Sequence, residues 1–316
     1  MKICKKEAIV IVTGAAGYVA EKLVPLLRLK YQVLGIDKKL GPYVDVESDI
    51  NELDLGSYIE SSQPLIIVHC AALRLDYGAK PDEYYKENVL NFSKFLSGLE
   101  NLNIIQFLHI SSVASIDGMK IEYNNNLSCD DAYRSTKNLQ ELELKKWCEI
   151  HKIPRDIFYP SAIYNNSPRA DTNIGKLQSL IKYLPVLPKI PIYKSLTHRT
   201  KFCMFISSIV GAPTGKSYLT IEQPVETVSE IIVRESRSRK ILIHIPLIKI
   251  QLITFSILIL FLGKIFKKEP FITPSRVKKL FKDTSYKDLN KKLDFDTYSN
   301  FVELNTDEAY DTVLIR

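Results

Sequence analysis

Cysteine is scarce and scattered. The chain of 316 residues contains five, Cys4, Cys70, Cys129, Cys148 and Cys203, and no CxxC pair. An odd number at these spacings argues against a disulfide framework and against a thiolate zinc site, and suits a reducing, cytoplasmic compartment. No metal site is expected. Internal repeats and low-complexity tracts are lacking, as is any basic stripe interleaved with aromatics, so nucleic acid is not an expected partner. A secretory signal is lacking too: the apolar run 8–12 is too short for an h-region, and Glu7 abuts it. No apolar run reaches the roughly 18–20 residues that span a bilayer without interruption.

The composition that remains is that of an ordinary globular protein, with 46% hydrophobic and 25% charged residues. The net charge of +7 is modest. Its excess falls between Arg239 and Lys292, which suits anionic ligands such as nucleotide diphosphates, an anionic membrane surface or a solvated face. Residues 241–266 form the most apolar segment, interrupted in its first half by His244, Pro246, Lys249 and Gln251. We read it as a buried or half-buried helix. An interfacial helix flanked by Lys264, Lys267 and Lys268 is the next reading, and a true span the last.

Short apolar runs alternate with helix-compatible stretches through the first half. Strands are expected at 8–12, 32–36, 64–69, 104–110 and 155–159, and helices at 20–29, 82–99 and 131–151. This alternation predicts an α/β fold, a doubly wound parallel Rossmann sheet. After Tyr164 prolines cluster at 185, 188 and 191 and the alternation is lost. We therefore expect a dinucleotide-binding domain at 1–163. A smaller C-terminal, mainly substrate-binding region follows at 164–316, free to return strands or helices to the core.

The strongest local motif is Thr13-Gly14-Ala15-Ala16-Gly17-Tyr18-Val19-Ala20. It follows a strand and opens a helix. Gly14 permits the tight turn, Gly17 lets the backbone approach a pyrophosphate, and Ala20 is small enough for close helix–strand packing. The diphosphate would meet the free N–H groups of the helix start. The second strand ends in Asp37, which can accept the ribose hydroxyls and favours NAD over NADP. The neighbouring Lys38 and Lys39 are the groups that would hold a 2′-phosphate. Asp49, with the adjoining Ile50, is a candidate adenine contact.

Ser111-Ser112 stand at a strand end, followed by Tyr133-Arg-Ser-Thr-Lys137. Tyr and Lys at i and i+4 share a helix face. An ammonium beside a phenol is expected to lower the phenol's pKa. The phenol would then exchange a proton with a hydroxyl or ketone as hydride moves, and a serine would hold the same oxygen.

Together, the motif 13–20, Asp37, His69-Cys-Ala-Ala72, Asn88, Ser111-Ser112, Tyr133-x-x-x-Lys137 and Pro160-Ser-Ala-Ile-Tyr164 resemble the ordered motifs of the extended short-chain dehydrogenase/reductases. Within that family they are most similar to the nucleotide-sugar epimerase/dehydratase group. The likeness continues more faintly through 199–210, 224–231 and 289–295. It implies that Tyr133 is the acid/base, Lys137 its modulator and ribose ligand, and Ser112 the polariser of the reacting oxygen. Ala71 and Ala72 would line the cofactor, Asn88 would support the central helix, and Tyr159, Pro160 and Ala162 are further candidates for cofactor contact. Arg74, Ser112, Asn165 and Arg199 are the candidates for substrate contact.

The chain departs from the family pattern at Tyr159, where Arg is frequent. Ile116-Asp117-Gly118 replace a Val-Tyr-Gly, and Ser207-Ser208 replace an acidic pair. The 4,6-dehydratases carry Asp-Glu after the position of Ser112. Here Val113-Ala114 stand there, and neither can move a proton, so dehydration is disfavoured. The favoured expectation is an NAD-dependent epimerase or ketoreductase acting at C4 of a nucleotide sugar in surface polysaccharide synthesis. A hydroxysteroid-type or lipophilic-alcohol dehydrogenase and a non-catalytic dinucleotide sensor or scaffold stay open. Besides the nucleotide sugar, a second copy of the chain in a homodimer and a peripheral membrane contact through 241–266 complete the expected partners.

Overall fold

The computed structural model describes residues 8–74, 79–165, 186–222, 225–236, 241–243, 245, 248–265, 277–278, 281–286 and 296–297. Six strands come first: β1 (Ile9–Thr13), β2 (Gln32–Asp37), β3 (Val46–Glu47), β4 (Leu65–His69), β5 (Ile104–Ile110) and β6 (Arg155–Pro160). They lie in the order β3-β2-β1-β4-β5-β6, and the sheet continues through Ser217–Thr220 and Asp296–Thr297. Every pairing in it is parallel. Helices cover such a sheet on both faces, so its central strands are apolar throughout rather than alternating. All five residues of β4 are buried. This is the doubly wound order, and its direction reverses between β1 and β4. Ligands of open α/β sheets bind at that switch point, beyond the carboxyl ends of the strands.

Local chemistry explains the helices around this point. The first helix, α1 (Ala20–Arg28), buries Ala20, Leu23, Val24 and Leu27, one apolar stripe at helical spacing. The expected helix over 82–99 is a composite of α2 (Pro81–Tyr85), a π-helical turn (Lys86–Leu90) and α3 (Asn91–Gly98). A short α4 (Val113–Gly118) starts because Ser112 caps it, its Oγ accepting the Ala114 N–H at 3.2 Å. The long α5 (Cys129–His151) begins two residues before the expected position. Ser128 caps it, Asp130 and Asp131 match the positive helix end, and Lys152 in the left-handed region stops it.

The chain divides into two compact units, one of Met1–Ser161, Thr197–Ile221 and Asn290–Arg316, the other of Ala162–Leu196 and Glu222–Leu289. The first holds the sheet and the helix Arg199–Ile209. In the second, Leu187, Ile190 and Val228 form a small core. The apolar segment there makes the helix Ile248–Ile265. Of the expected buried or half-buried helix, the described residues show the half-buried form. Ile250, Phe255 and Ile257 are 57%, 50% and 55% exposed while Ser256 is buried. A helix apolar on all sides can turn only one of them inward. Among the described residues no helix is long and apolar enough to cross a membrane. The segment 289–295 lies outside the described residues.

Candidate active site

The turn between β1 and α1 is closed by the Gly17 N–H donating to the Gly14 carbonyl at 2.9 Å. Gly14 has φ +72°, and a Cβ there would stand 2.7 Å from the Ala71 nitrogen, so only glycine fits. A Cβ at Gly17 would stand 2.9 Å from the Gly14 oxygen. Tyr18 and Val19 lead into α1, whose first N–H groups face this bend. Asp37 Oδ2 accepts the Ala16 N–H at 3.0 Å and Oδ1 accepts the Lys39 N–H at 3.0 Å. Lys38 pairs with Glu87 at 2.5 Å, which removes one of the two lysines considered for a 2′-phosphate. Asp49 Oδ1 accepts from Asn51 N and Asn91 Nδ2, both at 3.5 Å, and the adjoining Ile50 is buried. A glycine-lined cradle, a helix start and an acid at the end of β2 fit a dinucleotide.

Ala71, Ala72 and Arg74 follow β4, with Ala72 and Arg74 exposed. Asn88, fully buried in the π-turn, holds this loop. Its Oδ1 accepts the Leu73 N–H at 2.7 Å, and its Nδ2 donates to the Leu73 carbonyl at 3.1 Å and to Thr136 Oγ1 at 3.3 Å. One amide thus joins the switch-point loop to the helix of the Tyr/Lys pair. The extra residue of a π-turn re-aims such a side chain.

Ser112, just past the carboxyl end of β5, lies beside the phenol of Tyr133 and acts on its pKa. Burial pushes the Tyr133 pKa up. Ser112 opposes this, Tyr84 raises it and Arg74 lowers it. This differs from the expectation of a phenol lowered by Lys137. The reason is where the ammonium goes: Lys137 is 1% exposed, and its Nζ donates to the Ile110 carbonyl at 3.2 Å and to Gln140 Oε1 at 2.6 Å. Burial lowers its pKa to about 8, against the opposing pull of Glu141 and Cys70.

Sequence reasoning missed the buried residues beneath this pair. Glu141, on the turn of α5 after Lys137, collects Ser111 Oγ at 2.9 Å, Ser115 Oγ at 3.0 Å, the Tyr159 hydroxyl at 2.5 Å and Lys145 Nζ at 2.6 Å. A buried carboxylate is tolerable when so fully paired. Gln140 reaches His69 on β4. Their only signal in the sequence is their spacing from Lys137.

Tyr159 is 1% exposed, with its hydroxyl on Glu141, and Pro160 ends β6. Ala162 is exposed at the start of the strand Ala162–Tyr164 in the second unit, and Asn165, just after it, is half-buried. Arg199 belongs to the first unit. Its guanidinium lies 4.1 Å over the Tyr18 ring and 3.4 Å from Glu21. A cleft of about 440 Å³ in the second unit, between Lys189, Ile192, Lys249 and Phe281, contains none of the candidate residues.

A family model described as the NAD dependent epimerase/dehydratase family matches residues 10–204. GDP-6-deoxy-D-talose 4-dehydrogenase of Aggregatibacter actinomycetemcomitans is 29% identical over 96 residues, 30% of this chain. The match covers only 31% of that relative's length. Among solved structures, UDP-glucuronic acid 4-epimerase from Bacillus cereus in complex with NAD has a TM-score of 0.58 at 17% identity, covering 75% of this chain and 86% of that one. DesIV, a dTDP-glucose 4,6-dehydratase from Streptomyces venezuelae, gives 0.58 at 17% identity, with 74% and 84% covered. At such identities the likeness is one of fold.

Proposed function

Since the chain belongs to the NAD dependent epimerase/dehydratase family, we propose that it performs redox chemistry at C4 of a nucleotide sugar, as an epimerase or 4-ketoreductase in surface polysaccharide synthesis. The observation that carries this reading is the Tyr133 phenol set against Ser112 after the carboxyl end of β5, with the buried Lys137 one helical turn further on. NAD, when bound, supplies the hydride acceptor or donor. Gly14, Gly17 and Asp37 hold it. Tyr133 exchanges a proton with the C4 oxygen, Ser112 holds that oxygen, and Lys137 serves the nicotinamide ribose. In the first unit, Arg74 and Arg199 are the candidates for the diphosphate of the sugar nucleotide, which a guanidinium suits; Asn165, in the second unit, is a separate candidate for substrate contact. C4 is supported by the names of the relatives, a 4-dehydrogenase and a 4-epimerase. Val113 and Ala114 stand after Ser112 and have no proton to transfer, so elimination of water is not part of the reaction.

A second reading, oxidation of a lipophilic alcohol near a membrane, is favoured by one observation, the exposed Ile250, Phe255 and Ile257. One experiment separates the two. The protein is incubated with UDP-, GDP- and dTDP-sugars and a hydroxysteroid in the presence of NAD+, and with the 4-keto sugars in the presence of NADH. We expect turnover of a nucleotide sugar with the change confined to C4. Turnover of the steroid alone would replace the first reading with the second.

A further inference from the structure

Below the Tyr/Lys pair a line of polar groups runs from α5 into the sheet. Lys137 Nζ donates to Gln140 Oε1 at 2.6 Å. Gln140 Nε2 lies 3.1 Å from His69 Nε2, and His69 Nδ1 lies 2.8 Å from Thr13 Oγ1. Gln140, His69 and Thr13 are each fully buried. Donor counting orders the line. An ammonium only donates, so Gln140 presents its oxygen to Lys137 and its amino group to His69. His69 Nε2 then has to accept, which puts the imidazole proton on Nδ1, facing Thr13. Protonating His69 would set an N–H against an N–H and turn the amide away from Lys137.

We infer that Gln140 is a positioning residue, oriented by His69, that fixes the Lys137 ammonium at the carboxyl end of β5. The inference rests on the reading that Lys137 serves the cofactor. The glutamine is a neutral acceptor at a place where the surroundings are otherwise hostile to charge. Burial lowers the pKa of His69 well below its ordinary value, and Lys137 adds to this. His109, stacked on His69 with ring centroids 5.5 Å apart, is lowered in the same way. The other titratable groups bearing on Lys137 are Glu141 on its own helix and Cys70 after β4. Glu141 already carries Lys145 and three hydroxyls. Among the described contacts of Lys137, Gln140 is the side chain that accepts from the ammonium directly.

The test is NADH binding by calorimetry from pH 6.5 to 9.5, which needs no substrate. In the wild type, affinity falls as pH rises through about 8, where the ammonium is lost. Gln140→Met removes the acceptor and should move that fall down by about one pH unit. Gln140→Glu, close to the native shape, supplies a negative partner and should move it up by about as much. Thermal melts establish that each variant is folded, and Gln140→Glu decides if the methionine variant is not. A wild-type midpoint in folded Gln140→Glu overturns the inference. Lys137→Ala separates the two ideas: a flat profile supports the role of Lys137 at the cofactor, and a wild-type profile removes that role whatever Gln140 does.

Discussion

The Asp37 carboxylate accepts the backbone N–H of Ala16 at 3.0 Å, tying the end of β2 to the glycine turn 21 residues earlier. The acid therefore shapes the cradle as well as offering oxygens to a ribose. Its position also opposes a 2′-phosphate, by charge and by occupancy of the same space.

Asp37→Ala leaves the Ala16 and Lys39 N–H groups without their acceptor. Loss of a charge-assisted hydrogen bond is worth roughly 1.5–3 kcal/mol, so NADH affinity should fall about ten- to hundredfold. NADPH affinity should fall less, because a repulsion goes with it. Parallel calorimetric titrations of both cofactors measure the ratio. A wild-type protein that prefers NADPH would transfer the specificity role to Lys39.

Gly14 tests the cradle without touching any charge. At φ +72°, with Ala71 N 2.7 Å from a built Cβ, alanine must push the β1 turn and the β4 loop apart. We expect Gly14→Ala to cost about 1–3 kcal/mol of stability and to abolish measurable NADH binding. Gly215, with φ +72° and nothing within 4 Å of a built Cβ, is the control. Gly215→Ala should carry the backbone cost and leave binding intact.

What could be read beforehand was local. The apolar runs, the glycine turn, Asp37 and the Tyr/Lys spacing each lie within one strand–turn–helix unit, where a period or a motif betrays them. The β1–β6 order follows from that alternation. Gln140 and His69 are 71 residues apart, and nothing local distinguishes this glutamine from one on a solvated face. The same holds for Glu141, whose partners come from the residue after β5, from α4 and from β6. Helix α4 is six residues long, too short for a period to register. In the second unit the strands span two or three residues, so no alternation can be seen, and the outward face of Ile248–Ile265 reads as core.

Burial of the Lys137 ammonium has a thermodynamic signature of its own. Its pKa is about 8 in the folded protein against 10.5 as the ordinary value. Between these limits the unfolded chain binds more protons, so stability contributed by this group rises with pH from about 8 to about 10.5. Urea unfolding of the wild type and Lys137→Met at pH 7.5 and pH 10 isolates it. The wild type should gain about 1–3 kcal/mol on the variant over that interval. An unchanged difference would mean that Lys137 stays charged throughout.

Tyr133 carries the chemistry of the proposal. Burial raises its pKa, which keeps the phenol protonated at neutral pH and ready to donate to a ketone as hydride arrives. Tyr133→Phe retains the ring and its edge contact with Tyr84, 6.3 Å between centroids, and removes only the hydroxyl that meets Ser112. NADH affinity should stay within about twofold of the wild type, because the glycine turn and Asp37 are untouched. Turnover should fall by roughly 10²–10⁴, the usual loss for a general acid/base. Steady-state rates with whichever 4-keto sugar the wild type reduces, beside NADH titration of both proteins, separate the two effects. Near-normal turnover in Tyr133→Phe would move the proton to another group, and Ser112 would be the next residue to replace.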